Sequence, residues 1–207
     1  MFIHTSRRTV ASVDSDSVLA SSIDIAETAE TITDIPVTVW ASPYSLGGSS
    51  VVWSSRFDSI RELDKAQATL LSSEQYLESL RQITTSFSDP QLETLAEVFL
   101  GAPPVEPAPY LTVLEACALP SHQREAIDWG LRLRGALAHG LGVPVSFAVT
   151  VFGKVGGMVW LVYHQDADSL QTANAKMLAD ERIPLLLDEA SHFLQPDMSH
   201  LMMRRLN

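Results

Sequence analysis

The side chains best suited to proton transfer near neutral pH, or to holding a metal, are six histidines: His4, His122, His139, His164, His192 and His200. No two of them stand at HxH or HxxxH spacing, and the one cysteine, Cys117, cannot complete a ligand set. A zinc site of the common tetrahedral kind is therefore not expected, and no metal is assigned. Cys117 sits in an apolar run and reads as a small core hydrophobe. No GxSxG elbow is present, and Gly47-Gly48 and Gly156-Gly157 join strand to strand, as hairpin turns do, not strand to helix as phosphate loops do. The acids Asp188-Glu189 and Glu125/Asp128 fall at helical spacings that face solvent. Four tryptophans remain, of which Trp53 and Trp160 stand out because each follows a valine in matching surroundings.

Those surroundings repeat. Pro36 and Pro144 lie 108 residues apart, Trp53 and Trp160 lie 107 apart, as do Leu63 and Leu170, and Pro90 and Pro196 lie 106 apart. Each copy runs from a Pro-Val pair through an apolar stretch, a Gly-Gly turn and a Val-Trp strand into an amphipathic segment.

The chain has 207 residues, 46% hydrophobic and 19% charged, enough for one large domain or two small ones. Its 14 Lys and Arg against 25 Asp and Glu give a net charge of -11, which argues against nucleic acid or an anionic membrane surface as partner. No apolar stretch approaches the roughly 20 residues of a membrane span, and no secretory signal is read at the N-terminus. With a single cysteine, a reducing cytoplasm is the expected compartment.

To position these residues, the sequence predicts a first strand over Phe2–Val10 and a helix over about Ser17–Ile32 capped by Asp14 or Ser15. Strands follow at Val37–Ser42 and Ser50–Phe57 around a Ser45–Gly48 turn. A helix capped at Asp58 or Ser59 restarts near Ser72-Ser73, and a strand after Asp89-Pro90 spans Thr94–Leu100. Four prolines and a glycine make residues 101–109 a stiff linker. Beyond it the order recurs: strand Tyr110–Ala118, helix about His122–His139, a hairpin of Phe147–Phe152 and Met158–Gln165, a helix about Ser169–Phe193 that Pro184 should kink or split, and strand Ser199–Leu206. Each half is a β-α-β-β-α-β, ferredoxin-like unit, residues 1–100 and 110–207. The expected fold is α+β: two tandem repeats forming a pseudo-dimeric α+β barrel, with a second chain as the alternative partner for each half.

The strand Val159–Gln165 with the helix from Asp166 to Leu178, and equally Val51–Leu71, resembles the signature of the dimeric α+β barrel superfamily. The run Val113–Pro120 is similar to that superfamily's first strand. Members include antibiotic-biosynthesis-type and haem-degrading monooxygenases, EthD-like and NIPSNAP-like proteins. The resemblance supports fold more than function. It places Glu115 where oxygenase members carry a first-strand Asn, and His164 where they carry a third-strand Trp, with Phe57 matching His164 in the first copy. No histidine lies between Gln165 and Ser191, so the helical His of the haem-degrading group is missing. His192 reads as an exposed or capping residue, and no cofactor is assigned.

Alternation along a strand puts Met158, Trp160, Val162 and His164 on one face and Val159, Leu161 and Tyr163 on the other. The first copy, apolar at Trp53 and Phe57 and polar at Ser54 and Arg56, argues that the tryptophan face meets the helices. The family comparison argues the reverse and is followed here, so Glu115, Trp160 and His164 are expected together in the barrel interior, lined also by Trp53, Phe57 and Met158. A carboxylate raised by burial and lowered by a nearby imidazolium would serve as general base with a proton relay. The expected function is that of a small-molecule enzyme on an apolar or aromatic metabolite, cofactor-independent and monooxygenase-like or proton-transferring. The alternatives are a non-catalytic binding protein, or a structural or assembly protein pairing with further copies.

Overall fold

The computed structural model describes residues 1–11, 15–42, 49–88 and 91–207. The expected cap Asp14, the Ser45–Gly48 turn and Asp89-Pro90 lie outside the described residues. The chain forms two compact units, Met1–Leu95 with Arg204–Asn207, and Ala96–Met203.

The first repeat runs β1 (Phe2–Thr9), α1 (Ser15–Thr33), β2 (Val37–Ser42), β3 (Ser50–Phe57), α2 (Ile60–Leu71), α3 (Glu74–Thr84) and β4 (Leu92–Leu100). In α1, Val18, Ser22, Ile25 and Ala29 form the buried stripe, so a serine occupies a position of apolar spacing. The helix stops where Asp34 turns left-handed (φ 58°), two residues before Pro36. Ser59 caps α2 by accepting from the Glu62 amide, and Ser73 caps α3 by accepting from the Tyr76 amide. That second cap is why one amphipathic stretch is built as two helices.

The second repeat runs β5 (Tyr110–Cys117), a 3-10 turn (Pro120–His122), α4 (Gln123–Leu141), β6 (Val145–Phe152), β7 (Gly157–His164), α5 (Ala167–Ala179), α6 (Arg182–Ala190) and β8 (Ser199–Arg205). The long final helix divides at Asp180-Glu181, upstream of Pro184, which lies within the first turn of α6, where a missing N–H is tolerated. At the break the Asp180 carboxylate accepts from the backbone amide and guanidinium of Arg182. These bonds pull the Asp180 carboxyl down to about 2. Gly156 sits in the β6–β7 turn at φ +74°, and a β-carbon there would come within 2.8 Å of the Ala118 carbonyl oxygen.

The hydrogen-bonded strand order, β1-β3-β2-β8-β5-β7-β6-β4, closes into an eight-stranded barrel. Within each repeat the β-hairpin is antiparallel and its second strand also pairs with the repeat's first: β3 between β1 and β2, β7 between β5 and β6. In the second unit the core is aromatic: Trp129 of α4 meets Trp160 edge-on at 5.5 Å and Phe193 at 5.7 Å, and Phe147 lies 5.2 Å from Trp160. The Trp129 indole donates to the Leu186 carbonyl, tying α6 to α4. Cys117 is buried, as its apolar run predicts. Between β4 and β5, Val105 is 95% exposed while Ala108 is buried. Gly101 there approaches Val145 so closely that a β-carbon would lie 2.3 Å from its carbonyl oxygen.

Candidate functional site

Residues paired directly across two antiparallel strands direct their side chains to the same side of the sheet. On β5 and β7, Tyr110 pairs with His164, Leu114 with Trp160 and Ala116 with Met158, whereas Glu115 pairs with Val159. Glu115 and His164 are therefore on opposite faces, and the carboxylate–imidazole pair expected from the sequence is not made. The tryptophan face is the one against the helices: the Trp160 indole N–H donates to the Gly130 carbonyl of α4 at 2.9 Å. The same holds in the first repeat, where the Trp53 N–H donates to the Ser22 carbonyl of α1 at 2.9 Å. The face chosen from the family comparison is thus reversed, and the polarity of β3 pointed the right way. The physical reason is that an indole needs both deep apolar contact and an acceptor for its N–H, and the helices supply both.

Trp160 and Met158 are buried in the helix-side core of the second repeat. Phe57 is buried with Leu63, Ala66 and Leu95, and its ring meets His4 edge-on at 6.5 Å. Trp53 packs beside Ala26, Val39 and Val51. His164 is 1% exposed, bonded through Nε2 to the Thr112 hydroxyl at 3.0 Å, and its buried Nδ1 has no partner among the described residues. Burial pushes its pKa down, so the ring is neutral.

Only Glu115 of the expected set lies on the face away from the helices. Its carboxylate accepts from the Ser199 hydroxyl of β8 at 2.8 Å. On that face Val159 and Leu161 are half-buried, and Ser146 donates to the Tyr163 hydroxyl at 3.2 Å. Ser199 was not singled out by sequence, since neither a motif nor the repeat spacing marks it. Thr112 could have been found: it is the second-repeat counterpart of His4, 108 residues earlier, as His164 is of Phe57. A separate open groove of about 440 Å³ lies by the start of α4, beside His122, Glu125 and Arg132. His122 and Glu125 pair there, as do Arg132 and Glu189.

No protein-family model matches the chain, and no curated protein sequence matches it. Its fold is nevertheless shared with solved structures. A candidate monooxygenase from Fusobacterium nucleatum superposes with a TM-score of 0.71 at 7% identity, over 100% of this chain and 92% of that one. An anthrone oxidase-like protein gives 0.69 at 12% identity, over 100% and 91%. A haem-binding protein from Thermus thermophilus gives 0.55 at 10%, also over 100% and 91%. At such identities the likeness establishes a shared α+β barrel fold and nothing finer.

The residues here do not fit a haem. Neither α5 nor α6 contains a histidine, and His192 is exposed in the turn after α6. Among the described residues no group of three or more His, Cys, Asp or Glu could hold a metal ion, and no helix is long and apolar enough to cross a membrane.

Proposed function

We propose that the protein is a small-molecule enzyme of monooxygenase-like or proton-transfer type, acting on an apolar or aromatic metabolite with Glu115 as general base. The observation that carries this reading is the half-buried Glu115 carboxylate, oriented by the Ser199 hydroxyl on a strand face whose neighbours Val113, Val159 and Leu161 are apolar. A carboxylate in such surroundings accepts a proton from an acidic C–H or a phenolic O–H of a bound substrate. The fold likeness to proteins described as a monooxygenase and an anthrone oxidase supports the same class of chemistry. A chain with residues 1–100 and 110–207 as its working repeats, joined by 101–109, fits this reading.

Glu115→Gln tests it, since the amide keeps the shape but cannot take the proton. Turnover of phenolic or anthrone-type substrates should fall by two or more orders of magnitude with ligand affinity little changed. The second reading, binding without chemistry, is favoured by the placement of His164 on the other face, which leaves Glu115 without the expected relay. Binding with no turnover by the unaltered protein decides for it, whereas equal turnover by the Gln variant would remove Glu115 from the reaction.

A further inference from the structure

The residues Arg204–Asn207 belong to the first unit, although the rest of β8 belongs to the second. They lie along β2. Arg204 pairs with Ala41 and Arg205 with Trp40, and the strand β8 ends at Arg205. Contact with β2 continues past that point. The Leu206 amide donates to the Val39 carbonyl at 2.9 Å, and its half-buried side chain packs on the core of Ala26, Val39 and Val51.

Asn207 then does with its side chain what a further strand residue would do with its backbone. Its Oδ1 accepts from the Val39 amide at 2.8 Å, and its Nδ2 donates to the Val37 carbonyl at 2.8 Å. A carboxamide carries the same donor and acceptor as a peptide group, so it extends the ladder beyond the strand. Val39 is fully buried, and both its N–H and its C=O are satisfied by this segment. A strand edge whose polar groups are left open is a template for another chain, and here Leu206 and Asn207 cover it. Arg204 and Asn207 are exposed, so water reaches both ends of the contact. Segments held by solvent-accessible hydrogen bonds open before the buried parts of a fold do.

We infer that Arg204–Asn207 is a strap over the β2 edge that opens locally, ahead of the rest of the fold, with the Asn207 carboxamide as its clasp. Closed, it seals the edge at Val37 and Val39; open, it leaves that edge free to take another strand. The strap uses no residue of the Glu115 reading, so either can fail without the other.

Amide hydrogen exchange on the intact chain, resolved by NMR, tests it. The Val39 amide should exchange at least about tenfold faster than the backbone amide of Trp160, which lies in β7 between two partner strands, and low urea should not change the Val39 rate. Asn207→Ala removes both clasp bonds and should speed Val39 exchange by about a further tenfold while leaving Trp160 unchanged. In Asn207→Asp the carboxylate still accepts from the Val39 amide, but its other oxygen faces the Val37 carbonyl, and near neutral pH exchange should be several-fold faster than in the unaltered protein. At about pH 3, below the ordinary carboxyl pKa of about 3.9, the new acid regains a donor, and its Val39 exchange should return to within about twofold of the unaltered protein at the same pH. If the alanine variant does not fold, this acid recovery carries the test. Val39 exchange no faster than that of Trp160, an unchanged rate in Asn207→Ala, equal acceleration of both amides, or no recovery of Asn207→Asp in acid overturns the inference.

Discussion

Trp53 and Trp160 make the same bond in the two repeats: each indole donates at 2.9 Å to a carbonyl on the first helix of its own unit, Ser22 in one and Gly130 in the other. Those acceptors lie 108 residues apart, within a residue of the spacing between the tryptophans. Both are small residues, which lets the indole approach the helix backbone. Trp160 is fully buried and Trp53 half-buried.

Trp160→Phe should therefore cost more than Trp53→Phe. Removing the buried donor takes away the second hydrogen bond to the Gly130 carbonyl, which α4 also holds in its own ladder, and leaves a gap beside Phe147, together about 2–3 kcal/mol. The half-buried site should lose about 1 kcal/mol. Urea denaturation of both variants checks the order; equal losses would show that the two bonds are not set in differently buried surroundings.

Gly130→Ala and Gly135→Ala should change stability in opposite directions. A β-carbon at 130 would stand 2.6 Å from Phe147 Cζ and 3.1 Å from Trp160 Cζ2, so the overpacking cost of about 1–3 kcal/mol outweighs the helix propensity gained. At 135 nothing lies within 4 Å, and alanine should stabilise by about 0.5–1 kcal/mol. Thermal melts of the two variants give the signs directly.

His164 should make stability fall in mild acid. Burial lowers its folded pKa, so as pH drops below about 6.5 the unfolded chain takes up a proton that the folded chain does not. The unfolded state then binds more protons, and stability declines with falling pH until the folded pKa is reached. His164→Phe, the residue found at the equivalent position 57, should remove that part of the slope. Urea midpoints at pH 7.5 and 5.5 measure it, and an unchanged slope in the variant would falsify the assignment.

Limited proteolysis should cut within 101–109 before it cuts either repeat. Val105 is almost fully exposed and Glu106 is exposed as well, while buried Ala108 and the close approach of Gly101 to Val145 hold the segment's ends. Mass spectrometry of the first fragments locates the cut; a first cut inside α4 or β7 would count against the division into repeats.

The sequence by itself determined the order of elements and most of their bounds to within about three residues, because strands alternate, helices carry a stripe, and Ser59 and Ser73 cap where capping chemistry requires. Matched spacings in the two halves also made the tryptophans equivalent before any coordinate. Which face of a strand meets the helices was legible in β3, where Val51, Trp53 and Phe57 oppose Ser50, Ser54 and Arg56. It was not legible in β7, where Met158, Trp160 and Val162 oppose Val159, Leu161 and Tyr163, because alternation between two apolar faces has no sign. Pairing across strands supplied that sign. Glu115 is opposite Val159 and Trp160 is opposite Leu114, and a one-residue difference in register turns a side chain to the other face of the sheet. The same kind of pairing, between segments far apart in the chain, is what sets Asn207 against Val37 and Val39, a relationship that no local pattern contains.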